Sequence, residues 1–173
     1  MRFRTMLAGA AAFALVACTK PPLDEQQKTA LADSIEQYVA GPFIATYNSG
    51  NVDSILATYA PGNGVQSASD GKILANRDAI VASTRAMYGN PHVKIHYTLA
   101  TPQITVLSRD VAVYSTMAAG TGKDSVGVET TMRFAWTGVF VRTPGGWKVQ
   151  AEHASFPPAP APAAPAKPAH KRG

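Results

Sequence analysis

Residues 130–156 read TTMRFAWTGVFVRTPGGWKVQAEHASF. Apolar and aromatic side chains alternate with polar ones on both sides of Pro144-Gly145-Gly146, the period of two that marks strands with one buried face. The stretch predicts a long β-hairpin closed by those turn residues. A three-residue loop pairs Val141 with Val149, Val139 with Ala151, Thr137 with His153 and Ala135 with Ser155. A two-residue loop at Gly145-Gly146 instead sets His153 opposite Trp136 and turns one arm over relative to the other. The first register matches valine with valine and is the expectation. It collects Arg133, Thr137, His153 and Ser155 on one face. Because His153 shares the parity of Trp147, that face is expected to look into a pocket.

Upstream of the hairpin the pattern is strand-like back to about residue 93. Residues 93–106, broken near Pro102, 110–118 and 126–141 are rich in Val, Ile, Thr and Tyr. Gly120 to Asp124, GTGKD, reads as a loop. It has neither the spacing nor the following helix of a phosphate-binding loop.

Before these strands the period changes to that of helices. Asp24 with Gln27 forms a capping-box signal. Leu31, Ile35, Tyr38 and Val39, then Phe43, Ile44 and Tyr47 beyond Gly41-Pro42, predict one kinked amphipathic helix ending near Asn48-Ser49-Gly50. Asn51 caps a second helix with Val52, Ile55, Leu56 and Tyr59 on its apolar side, and Pro61-Gly62 stops it. Asp70-Gly71 marks a tight turn between two short strands. Asn76 opens a third helix with Ile80, Val81, Thr84, Met87 and Tyr88 facing inward.

Both ends of the chain have another character. Residues 1–17 carry Arg2 and Arg4 ahead of an apolar run too short to span a bilayer, as in an export signal. Leu15-Val16-Ala17-Cys18 resembles a bacterial lipobox, which implies lipidation of Cys18. The other reading is a conventional signal with no lipid. Thr19, rather than Asp, is what outer-membrane lipoproteins resemble, so the expected location is the cell envelope, on the periplasmic face of the outer membrane. Residues 18–23 form a short tether. Residues 157–173 are Pro/Ala-rich and cannot bury enough apolar surface to fold, so they serve as a spacer or as a basic reach toward an acidic surface. Cys18 is the sole cysteine, so the mature domain is expected to have no disulfide.

The net charge of +5 belongs to these ends. Arg2, Arg4, Lys20, Lys167, Lys171 and Arg172 account for six cations, and +5 less 6 leaves the body at −1. No basic stripe interleaved with aromatics occurs, so nucleic acid is not the expected partner. The body, residues 24–156, has the length of one domain with one core, roughly 130 residues.

Helices, a short hairpin, a further helix and then a long sheet make an α+β order. It resembles the nuclear transport factor 2-like superfamily, whose sheet curves as a cone around the first helix. The ending Trp136-Thr137, Gly146-Trp147-Lys148-Val149 and Glu152-His153-Ala154-Ser155 is similar to the SnoaL-like domains within it. The resemblance implies three N-terminal helices packed on a curved, mostly antiparallel sheet, with a pocket in the cone. Many relatives carry acidic residues just after the second helix, where this chain has Ala60-Pro61-Gly62-Asn63, so no carboxylate base is expected there.

Tyr47, Tyr59 and Tyr97, with Arg133, Thr137 and His153, are the expected pocket lining. His153 is the candidate for proton transfer and Arg133 for pairing with a ligand carboxylate or an oxyanion. The alternative for His153 is a hydrogen bond to Thr137 or a buried carbonyl at the end of the core. His92 and His96 lack a third ligand at metal-site spacing, and neither a metal nor a cofactor is expected. Three functions follow. The first is binding of a small, largely apolar ligand without turnover. The second is an isomerase, cyclase or dehydratase using His153. The third is a dimerisation module meeting its copy through Trp136, Phe140 and Val128 on an outer sheet face.

Overall fold

The computed structural model describes residues 21–90, 94–123 and 127–158. Residues 1–20 with Cys18, residues 159–173 with His170, and His92, Val93, Asp124 and Val126 lie outside the described residues. The fold is α+β, with the helical segments leading into an open, mostly antiparallel sheet.

Helix α1 (Glu25–Tyr38) begins in the expected capping box: the Asp24 carboxylate accepts from the Gln27 backbone N–H at 2.7 Å and the Gln27 side chain accepts from the Asp24 backbone N–H. At Gly41-Pro42 the chain keeps its helical sense by widening into a π-helical turn, Val39–Phe43, before α2 (Ile44–Ser49). The wider turn accommodates a residue that has no N–H to donate. Ile35, Val39 and Phe43 thus stay on one side at intervals of four and are all buried. Gly50, at φ 65°, ends α2 in the left-handed conformation. Asn51 caps the short α3 (Val52–Leu56). Strands β1 (Gln66–Ser69) and β2 (Lys72–Leu74) flank Asp70 (φ 46°) and Gly71 (φ 78°), the paired positive angles of a type I′ turn. Asn76 caps α4 (Arg77–Tyr88).

The sheet continues with β3 (Ile95–Leu99), β4 (Gln103–Ser108), β5 (Val111–Lys123), β6 (Glu129–Thr143) and β7 (Gly146–Ser155), in the order β2-β1-β7-β6-β5-β3. Strands β4 and β3 occupy successive halves of the free side of β5, while β1 joins β7 in parallel. Gly120 to Lys123 are strand rather than the expected loop, because β6 pairs with all four and β3 with Gly120 to Gly122. Asn48 ties α2 to β3: its side-chain amide donates to the Tyr97 carbonyl at 3.1 Å and its oxygen accepts from the Tyr97 N–H at 2.7 Å.

The hairpin register decides the site. The ladder closes at Thr143–Gly146, so Pro144 and Gly145 alone make the turn, and Phe140 pairs with Val149 and Val141 with Lys148. This corrects the expected Val141–Val149 pair. Gln150 is then an extra residue, a β-bulge, and beyond it the pairs are Val139–Ala151, Thr137–His153 and Ala135–Ser155 as expected. A bulge shifts the facing of every later residue by one. Trp147 and Val149 are therefore buried inside, and after the bulge Glu152 and Ala154 face inward instead of His153 and Ser155.

On β6 the inward set is Phe134, Trp136, Gly138 and Phe140. Trp136 and Phe140 pack on Phe43 at ring distances of 5.5 and 5.7 Å. They belong to the core of their own chain and are not an outer contact surface, which corrects the expected dimer face. Val128 is exposed.

Candidate functional site

The inner face of the sheet, α2 and α4 enclose a cavity of about 540 Å³. Aromatic rings dominate its wall: Phe43, Tyr47, Tyr59, Tyr97, Phe134 and Trp136. Met87 and Met132 also line it and are about half exposed, which places them at its rim. Among the lining residues one acidic side chain, Glu152, and one basic side chain, Lys123, are present.

Glu152 is held from three directions. The β7 bulge turns it inward. The segment after α3 is laced to β7 immediately before that bulge, Val149 N–H donating to the Thr58 carbonyl at 2.9 Å and Ala60 N–H to the Val149 carbonyl at 2.8 Å. This brings the Tyr59 hydroxyl to Glu152 Oε1, to which it donates. Opposite Glu152 on β6 stands Gly138. A Cβ at Gly138 would lie 3.1 Å from the Trp136 ring carbons Cζ2 and Cη2, so the indole occupies the space that the missing side chain leaves. From there Trp136 Nε1 donates to Glu152 Oε2 at 3.1 Å. The bulged Gln150 is itself tied down, its side-chain amide donating to the Gly64 carbonyl at 2.6 Å.

The phenols extend this centre. Tyr47 OH donates to Tyr59 OH at 3.5 Å, and Tyr88 and Tyr97 share a hydroxyl–hydroxyl bond of 2.9 Å. Tyr47 meets the rings of Tyr88 and Tyr97 edge-on. Burial pushes all four phenols above their ordinary range, and the negative charge of Glu152 adds to the effect. They are hydroxyl donors at neutral pH.

The same shifts set an alkaline limit on stability. A phenol raised in the folded state contributes stability that is fully present below its unfolded value, ~10, and is lost as pH rises toward the folded value. Tyrosinate absorbance of the native protein should therefore stay low through about pH 10.5, where exposed phenols already titrate, and then rise together with loss of tertiary circular dichroism. A gradual titration near pH 10 with the fold intact would contradict this placement.

Of the expected site residues, Tyr47, Tyr59 and Tyr97 line the cavity. Arg133, Thr137 and His153 do not. Arg133 and His153 are exposed, and Thr137, half-buried, shares a 3.1 Å hydroxyl bond with Ser115 across the other face of the sheet. The reason is the bulge, together with the even-numbered aromatics of β6 turning inward. The sequence reading missed Glu152, Tyr88 and Trp136. A signal for Glu152 was available: once Phe134, Trp136 and Phe140 are taken as the buried set, the Thr137–His153 register puts Gly138 and Glu152 inside. His96 lies exposed on β3, and among the described residues no group of three His, Cys, Asp or Glu side chains is placed to hold a metal.

This fold, helices packed with an open, mostly antiparallel sheet, is shared with known proteins. The SnoaL-like domain family matches residues 19–160. The chain belongs to the SnoaL-like family. Among curated proteins no sequence matches it. Solved structures similar to this SnoaL-like chain include a candidate dehydratase of the NTF2-like family from Streptomyces avermitilis, at 19% identity and TM-score 0.65, covering 76% of this chain and 99% of that one. A ketosteroid isomerase-like protein from Erwinia carotovora atroseptica is 16% identical with TM-score 0.58, covering 74% and 97%. A candidate calcium/calmodulin-dependent protein kinase II association domain from Xanthomonas campestris is 20% identical with TM-score 0.61, covering 70% and 84%. At these identities the likeness is one of fold.

Proposed function

We propose that this SnoaL-like protein is an exported, lipid-anchored binding protein whose cavity takes a small, largely apolar ligand. The observation that carries the reading is the cavity itself: about 540 Å³, walled by aromatic and aliphatic side chains, with polar groups converging at Glu152. That volume and composition suit a single compact ligand. Binding of the neutral fluorescent probe N-phenyl-1-naphthylamine at one site per chain is the expected result. Thr84→Trp, which places an indole on the cavity wall from α4, should cut the probe's affinity at least tenfold while the folded circular dichroism spectrum is kept. Equal binding by the plugged variant would remove the cavity from the reading.

The lipobox-like residues before Cys18 support the anchor. A fatty-acid label should be incorporated in bacteria and lost in Cys18→Ser. A labelled Cys18→Ser protein would overturn the anchoring.

An acid–base reading of the same cavity, motivated by similarity to a candidate dehydratase and an isomerase-like protein, rests on Glu152 and not on His153. The carboxylate touches the cavity and the imidazole does not. Glu152→Gln abolishing turnover of a substrate that His153→Ala still converts would favour it.

A further inference from the structure

We infer that the cavity selects a cation: an ammonium or quaternary ammonium group on a compact apolar body, seated against Glu152 and the surrounding rings. The inference rests on the binding reading above and adds the charge of the ligand.

Three observations point this way. First, among the described residues Glu152 has no cationic partner. Its oxygens accept from the neutral Tyr59 hydroxyl and the neutral Trp136 N–H, and the one ion pair among the described residues is Lys28–Glu25, outside the cavity. The lining cation, Lys123, pairs with Glu129 at the far end of β6, while Glu152 pairs with Gly138. Nine residues of extended strand separate those positions, about 30 Å along the chain, well beyond a lysine's length.

Second, the carboxylate keeps open acceptor positions. It offers about four lone-pair sites, and among the described residues two donors use it. A neutral apolar ligand offers those positions no donor, and an anion is repelled.

Third, the neighbouring wall is aromatic. Tyr59 and Trp136 touch Glu152, and Tyr47, Tyr97 and Phe43 line the same cavity. Ring faces carry negative charge density and attract a cation within about 6 Å of the ring centroid. A phenol wall beside an unpaired carboxylate suits an ammonium head better than a neutral or acidic one, while the apolar remainder of the cavity takes the ligand's body.

The test uses the full-length protein and competition against bound N-phenyl-1-naphthylamine. Three competitors of matched shape are compared: 4-phenylbutyltrimethylammonium, its neutral carbon isostere 5,5-dimethylhexylbenzene, and 5-phenylvalerate. The expected order is cation, isostere, carboxylate, with the cation at least about tenfold tighter than the isostere, the scale of one desolvated cation–π contact with a nearby charge. Glu152→Gln should bring that ratio below about threefold with the folded circular dichroism spectrum kept. Ser67→Lys keeps Glu152 but places an internal ammonium on the residue paired with it in β1, and should remove the preference in the same way. An isostere that competes as well as the cation in the unaltered protein overturns the inference and leaves the cavity reading standing, as does an undiminished preference in both variants. No binding of the probe or any competitor overturns both.

Discussion

Replacing Phe140 by alanine should lower the stability of the fold by about 3–5 kcal/mol, the range for deleting a fully enclosed aromatic ring. The measurement is the denaturant midpoint, which should fall with little change in the slope of the transition. The size of the effect follows from position. Phe140 has no exposed surface and sits edge-on to Tyr38, Phe43, Tyr114 and Trp136, with ring centroids 5.7 to 6.4 Å away. It joins the first helix to the middle of the sheet, so its loss opens a cavity between two layers that neither backbone can close. A loss below about 1 kcal/mol would show that the ring is not enclosed in this way.

The second large effect is expected at a residue with no side chain. In Gly138→Ala the new Cβ would lie 2.9 Å from the Phe140 ring and 3.1 Å from the Trp136 ring. Neither is the free end of a flexible chain. The overpacking should cost about 1–3 kcal/mol. The functional consequence is larger, because the indole that must move is the one donating to Glu152 Oε2. Near-ultraviolet circular dichroism should change in the indole bands, and affinity for the cationic competitor should fall more than affinity for the neutral one. Trp136→Phe separates the two causes: it removes the N–H without adding a Cβ, and should weaken the hold on Glu152 with a smaller change in stability. If Gly138→Ala leaves stability and indole signal as they were, the indole does not lie across Gly138.

These predictions turn on residues whose importance differs in how far it was legible from sequence. Phe140 announces itself as an aromatic on a period-two strand, although the sequence reading assigned it to the outer face. Gly138 announces nothing. A glycine in a strand reads as a weak point, and only the indole lying over it and the carboxylate paired with it give it a purpose. His153 shows the opposite case, an ionisable residue after a conspicuous tryptophan that the fold leaves exposed.

What the sequence by itself determined is local. The Asp24–Gln27 capping box, the caps at Asn51 and Asn76, the Asp70-Gly71 turn and the long alternating arms of β6 and β7 all depend on interactions within a few residues of one another. Their order is enough to name an α+β fold. The tertiary structure alone decided which side of each arm faces inward. On β7 that choice rests on the Gln150 bulge, which is stabilised by Gly64 and flanked by the Thr58–Ala60 segment, both more than 80 residues away in the chain, and on β6 it rests on the packing of Trp136 and Phe140 against Phe43. A one-residue slip changes nothing in the local alternation and everything in what it points at. It exchanges His153 for Glu152, and so an exposed imidazole for a carboxylate held inside an aromatic cavity.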